Sequence, residues 1–172
     1  MTGRGPLSKM EQFNIKPLSG VNQLKFGKTR DEIIEDFEDP TEEEGRTDYY
    51  EFETFSLALS YDRNDKLEFI EFSKVSGGAP VLLNDIDVFN IEGEKLLSEI
   101  QSLASEKHNS DNSEPPYTYI FDSLEIAIDR PTTPEEYEEG EAESSDGYEN
   151  GKYFRSIGIG CKGYFSSADL VE

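Results

Sequence analysis

The chain has one cysteine, one histidine and no tryptophan in 172 residues. A single cysteine excludes an internal disulfide, and a reducing, cytoplasmic compartment is the expectation that follows. One cysteine and one histidine cannot assemble a typical zinc site either. No apolar run approaches the roughly 18 residues that a membrane helix needs, so no membrane partner is expected. The opening residues, MTGRGPLSKM, hold no apolar stretch of the kind a secretory signal uses. Positive charge is also scarce. Lys and Arg number 16 against 38 Asp and Glu, a formal net charge of −22. That balance excludes a protein that works by neutralising nucleic-acid phosphates, which takes a basic face. It equally disfavours docking on anionic lipid.

What is present is aromatic and acidic. Eleven phenylalanines and nine tyrosines stand in a chain only 34% hydrophobic. Disordered acidic chains are poor in aromatics, so a folded core under an acidic coat is expected. The acids are concentrated. Residues 31–44 hold nine acids and no base, and residues 135–149 hold eight and no base. The other 143 residues hold 21 acids and 16 bases, a net of −5. An ordinary body therefore carries two extreme segments.

The body contains an internal echo. Residues 56–63 read SLALSYDR and residues 123–130 read SLEIAIDR. Leu57, Leu59 and Tyr61 alternate as on one strand face, as do Leu124, Ile126 and Ile128. Asn64-Asp65 makes a short turn into KLEFIEFSK (66–74), and the second strand is followed, after the acidic run, by KYFRSIGIGC (152–161). Upstream, Thr29 and Glu32 have the spacing of a capping box ahead of Ile33, Ile34 and Phe37. Leu96, Leu97, Ile100, Leu103 and Ala104 form a second helical stripe. Further strands are expected at 49–54 and 116–121, with a short extended piece at 81–85. The predicted fold class is α+β, two pseudo-repeats of helix plus antiparallel strands (24–74 and 87–161) sharing one core. Residues 1–12 are expected as a flexible leader, with Met10 a candidate start. Residues 13–172 are expected as one α+β domain with an acidic hairpin insertion over 131–151. Pro40 predicts a helix end, which leaves Glu42–Glu44 on a loop.

No catalytic constellation stands out. His108 lies in the polar connector 105–116, without a neighbouring group to orient it as a base. Cys161 extends the alternation of Ile157 and Ile159, the pattern of a small core side chain. No stretch matches a calcium loop, and no glycine run opens a helix as a phosphate cradle does. The expectation is no catalytic residue, no metal and no cofactor.

The acidic segments carry the functional expectation. The second run interleaves Tyr137 and Tyr148 with Glu135, Glu136, Glu138, Glu139, Glu141, Glu143 and Asp146. Tyrosine among carboxylates suits an interface, where the ring anchors and the charge selects. In the first run Glu42, Glu43 and Glu44 precede Tyr49 and Tyr50, and acids beyond a helix C-terminus oppose its dipole, so stability does not explain them. These twelve residues, Glu42–Glu44 and the nine from 135 to 148, are the candidate partner-binding set. A small, strongly acidic α+β chain without catalytic residues resembles the immunity proteins of bacterial toxin systems, contact-dependent and secreted polymorphic. The resemblance lies in general character and rests on no motif. It implies tight, non-catalytic binding to a basic toxin domain, often a nuclease, with no direct nucleic-acid contact. A scaffold with inert acidic loops, a nucleic-acid mimic and a carboxylate hydrolase are the competing readings.

Overall fold

The computed structural model describes Leu7 and residues 10–74, 78–104, 117–130 and 152–165. Its largest element is a seven-stranded antiparallel sheet. The contributing strands are β4 (Glu42–Glu44), β5 (Thr47–Glu51), β6 (Phe55–Tyr61), β7 (Leu67–Lys74), β10 (Tyr117–Phe121), β11 (Ile126–Arg130) and β12 (Ser156–Gly160). They run in the order β10-β11-β12-β7-β6-β5-β4. The fold is thus mixed α+β, and mostly β. Two three-stranded meanders, β5-β6-β7 and β10-β11-β12, meet along β7 and β12.

Local chemistry explains these elements. Residues of β6 alternate strictly between buried and half-buried, as a period of two requires. At the β6–β7 turn the Asp62 carboxylate accepts the backbone N–H groups of Asn64 and Lys66, and Asp65 takes a positive φ of 59°. The capping box is present: Thr29 and Glu32 satisfy each other's backbone donors at the start of α1 (Arg30–Asp36). The second helix, α2 (Gly93–Leu103), buries Leu96 and Ile100.

A second, five-stranded sheet was not foreseen from the sequence. It comprises β1 (Phe13–Lys16), β2 (Gly20–Val21), β3 (Leu24–Lys25), β8 (Val81–Leu83) and β9 (Ile86–Asp87). The order is β3-β2-β1-β8-β9, with β1 and β8 parallel. Phe13 joins it to the large sheet, its ring 5.2 Å from Phe55 and 5.0 Å from Phe72. The buried apolar residues of both sheets and both helices form one cluster. Leu7, expected in a flexible leader, is fully buried in it, and its N–H donates to Glu38 Oε1 at 2.6 Å.

Three further sequence expectations need correction. Glu42–Glu44 do not lie on a loop. Helix α1 ends before Pro40, and the three glutamates pair with β5 through a hairpin whose two connecting residues begin with Gly45 at a φ of 61°. Backbone pairing satisfies the segment whatever its side-chain propensity. The octamers at 56 and 123 do not occupy like positions either. Ser123–Glu125 form a turn, with Glu125 at a φ of 52°, and the strand begins only at Ile126. Cys161 lies just past β12 and is half-buried rather than in the core.

Candidate functional site: the acidic face of the large sheet

One face of the seven-stranded sheet packs on the core, through Leu57, Leu59, Ile70, Phe72, Ile128, Ile157 and Ile159. Strand alternation and register fix what the opposite face carries. One row across six strands reads Thr118, Asp129, Ser156, Ser73, Ser56 and Glu51. The next reads Ile120, Ala127, Gly158, Glu71, Ala58, Tyr49 and, on β4, Glu42. The third brings in Phe69, Gly160, Ser60, Thr47 and Glu44. The strands therefore place five acids on this face, Glu42, Glu44, Glu51, Glu71 and Asp129, and no lysine or arginine.

Two of these carboxylates are built into hydrogen-bonded rows. Asp129 accepts from Thr118 Oγ1 and, at 3.0 Å, from Ser156 Oγ. Glu51 accepts from Ser56 Oγ at 2.5 Å. Glu71 differs: among the described residues it has no hydrogen-bond or ion-pair partner. Its neighbours across the strands are small, Ala58 on one side and Gly158 on the other. Burial, and then the charge of Asp129, push its carboxyl above the usual range.

An aromatic wall bounds this trough. The Phe69 ring leans over Gly158, where a Cβ would sit 2.5 Å from the ring tip. Tyr164 stacks on Phe69 at 4.7 Å, and Phe165 meets both rings edge-on. Glu125, 5% exposed, holds the wall in place by accepting the N–H groups of Gly163 and Phe165 at 2.9 Å each. Glu68 and Glu71 act on the Tyr164 hydroxyl, which burial raises first. Burial and Glu68 likewise raise the Cys161 thiol, which disfavours the nucleophilic thiolate.

The unpaired charge of Glu71 has a measurable consequence. A carboxyl whose folded pKa is raised contributes stability fully present below its unfolded value, and loses it as pH rises through the folded value. Glu71→Gln is therefore expected to raise Tm at pH 7 by a few degrees, since about 1 kcal/mol corresponds to roughly 2–4 °C at this chain length. The gain should vanish below about pH 4.5, the carboxyl's ordinary value. Calorimetry of both proteins across pH 4–8 reads it, and a gain independent of pH would exclude the electrostatic cause.

The sequence-predicted residues divide. Glu42 and Glu44 lie on this face at the sheet edge, exposed, while Glu43 alternates to the other side and acts electrostatically on Arg30. Glu135, Glu136, Tyr137, Glu138, Glu139, Glu141, Glu143, Asp146 and Tyr148 lie outside the described residues, as does His108. Elsewhere in the first run, acids serve the chain itself. Glu32 caps α1, Asp36 pairs with Lys28 at 3.2 Å, and Glu38 holds Leu7. Sequence reading missed Glu71, because only the strand register sets it between Ala58 and Gly158.

Among the described residues no group of three or more His, Cys, Asp and Glu is placed to hold a metal ion. No helix among them is long and apolar enough to cross a membrane. A cavity of about 20 Å³ between the two sheets, lined by Phe55, Phe72, Val81 and Phe89, has room for one water beside the buried, unpartnered Asp87 Oδ1.

No family model matches the chain, and no curated protein matches it. Two solved structures are similar at a TM-score of 0.49 and 12% identity. One is a DUF4309 family protein from Bacillus subtilis, covering 83% of this chain and 84% of that one. The other is a cysteine-rich secretory protein from Staphylococcus aureus, covering 91% of this chain and 51% of that one.

Proposed function

We propose that this chain is a non-catalytic binding protein that captures one basic protein, in the manner of an immunity protein and its toxin domain. The observation that carries the reading is the sheet face on which the described strand residues place five acids and no base, continuous with the exposed edge strand β4. A face of one sign raises the local concentration of an oppositely charged partner and steers its approach, typically by about 10–10³-fold in association rate. The second acidic run, with Tyr137 and Tyr148, adds to the chain's negative charge by composition. Three acids on the face are exposed or bonded only to a hydroxyl, so replacing them leaves the core alone. The triple variant Glu42→Lys, Glu44→Lys, Glu51→Lys is expected to fold. It is also expected to lose a basic protein that the unaltered chain retains from its source lysate at low salt and releases at high salt. Equal retention by both would identify the acids as inert, the mark of a scaffold. Retention of many DNA-binding proteins would identify a nucleic-acid mimic.

The same reading includes the duplicated body, on positional support. Offsetting the first half by 87 residues turns Ile70 into Ile157 and Phe72 into Ile159. The observed pairs are Ile70 with Ile159 and Phe72 with Ile157, which is the reciprocity of a two-fold relation. Leu57 and Leu59 then correspond to Ile126 and Ile128. Each half also ties the first turn of its helix to its strands with one cation, one carboxylate and one aromatic. In the first half these are Arg30, Asp48 and Tyr61; in the second, Arg130, Glu94 and Tyr119. The roles are permuted: the helix gives the cation in the first and the carboxylate in the second.

A further inference from the structure

We infer that the trough at Glu71 is an anchor site for a single basic side chain, lysine or arginine, presented by the protein partner; this rests on the binding function proposed above and assigns its central contact. Three features converge there. Glu71 is a half-buried carboxylate with no partner among the described residues, set between two small neighbours, Ala58 on one side and, on the other, Gly158, over which the Phe69 ring leans. Asp129, two strands away on the neighbouring row, adds a second negative charge that acts on Glu71. The wall of Phe69, Tyr164 and Phe165 is itself half-buried and apolar. A long basic side chain matches this arrangement. Its methylene stem lies along the wall while its charged head meets the carboxylates, the usual division of such side chains between apolar surface and charge. Among the described residues the strands place no lysine or arginine on the face, which suits a complementary charge brought by the partner. The outer acids attract the partner, and the trough fixes its register. Retaining an unpaired charge at a cost in stability is what a binding site requires and what a purely structural sheet face does not.

The test uses the full chain, isotope-labelled, with acetylated and amidated hexalysine and hexaarginine peptides as probes. Amide shifts at Ala58, Phe69, Glu71 and Gly158 are expected to saturate with at least one probe, and affinity is expected to fall about tenfold in Glu71→Gln. Phe69→Leu, which keeps an apolar residue over Gly158, is expected to weaken binding less while still moving the same amides. Shifts confined to Glu42, Glu44 and Glu51, unchanged by Glu71→Gln, would overturn the anchor and leave the binding function standing. No response to either peptide anywhere on the face would overturn both. The Glu71→Gln spectrum itself reports whether that variant is folded.

Discussion

Arg30→Met is expected to cost about 3–5 kcal/mol, the loss typical of removing one partner from a buried ion pair. Arg30 is the first residue of α1, and its guanidinium reaches Asp48 on β5 with two hydrogen bonds, Nε to Oδ2 at 2.9 Å and Nη2 to Oδ1. Asp48 is completely buried, whereas Arg30 keeps 22% of its side chain exposed. The asymmetry decides the outcome. Without Arg30 a carboxylate remains in the core with no water to solvate it. Without Asp48 the arginine can still turn toward solvent, so Asp48→Asn is expected to cost less. The guanidinium also lies 5.6 Å from the centre of the Tyr61 ring, and Arg30→Met removes that cation–π attraction as well. A total stability of 5–15 kcal/mol makes this a large fraction. Denaturant midpoints of both single variants and of the double variant read the coupling. Recovery of at least half the loss when Asp48→Asn is added to Arg30→Met is the expected signature. A loss under about 1 kcal/mol for Arg30→Met alone would show that the pair does not hold α1 to the sheet.

How much of this was legible in the sequence follows the range of the interactions. The capping box at Thr29, the turn at Asn64-Asp65 and the stripe of α2 are set by residues within four positions of one another, and each is where the sequence puts it. The small sheet is not local. Its strands are two to four residues long, too short for a period to register, and its central pairing joins Phe13 to Val81. Strand β4 went unread because three successive glutamates contradict strand propensity, and the Gly45 hairpin overrides it. The echo between 56–63 and 123–130 misled because residues 56–61 lie wholly within β6 while Ser123–Glu125 form a turn and β11 begins only at Ile126. Alternation of apolar and polar residues gives a strand's faces and does not locate its first residue. The acidic face was visible only in part, because Glu71 in KLEFIEFSK is one acid among 38 until register sets it between Ala58 and Gly158.

Gly20→Ala is expected to be comparably damaging, at about 3 kcal/mol or more, for a reason no side-chain rearrangement relieves. Gly20 opens β2 with a φ of 137°, a conformation that L side chains rarely adopt. A Cβ there would lie 2.0 Å from the carbonyl oxygen of Leu24 and 3.0 Å from its carbonyl carbon. Both atoms belong to the backbone of β3, which pairs with β2 through Gly20 and Lys25, so relief means opening the β2–β3 ribbon. That ribbon is tied to β1, whose Phe13 packs between Phe55 and Phe72, and Leu24 of β3 is itself buried. The effect therefore reaches the junction of the two sheets. Gly27→Ala provides the control. Gly27 also has a positive φ, 93°, but nothing lies within 4 Å of its Cβ position, so that variant bears backbone strain alone, about 1–2 kcal/mol. Comparing denaturant midpoints of the two variants separates collision from strain, and hydrogen exchange should show the amides of Phe13–Lys16 losing protection only in Gly20→Ala. Equal losses in the two variants would mean that the β2–β3 ribbon yields without cost, and that Phe13 is held by the large sheet rather than by its own.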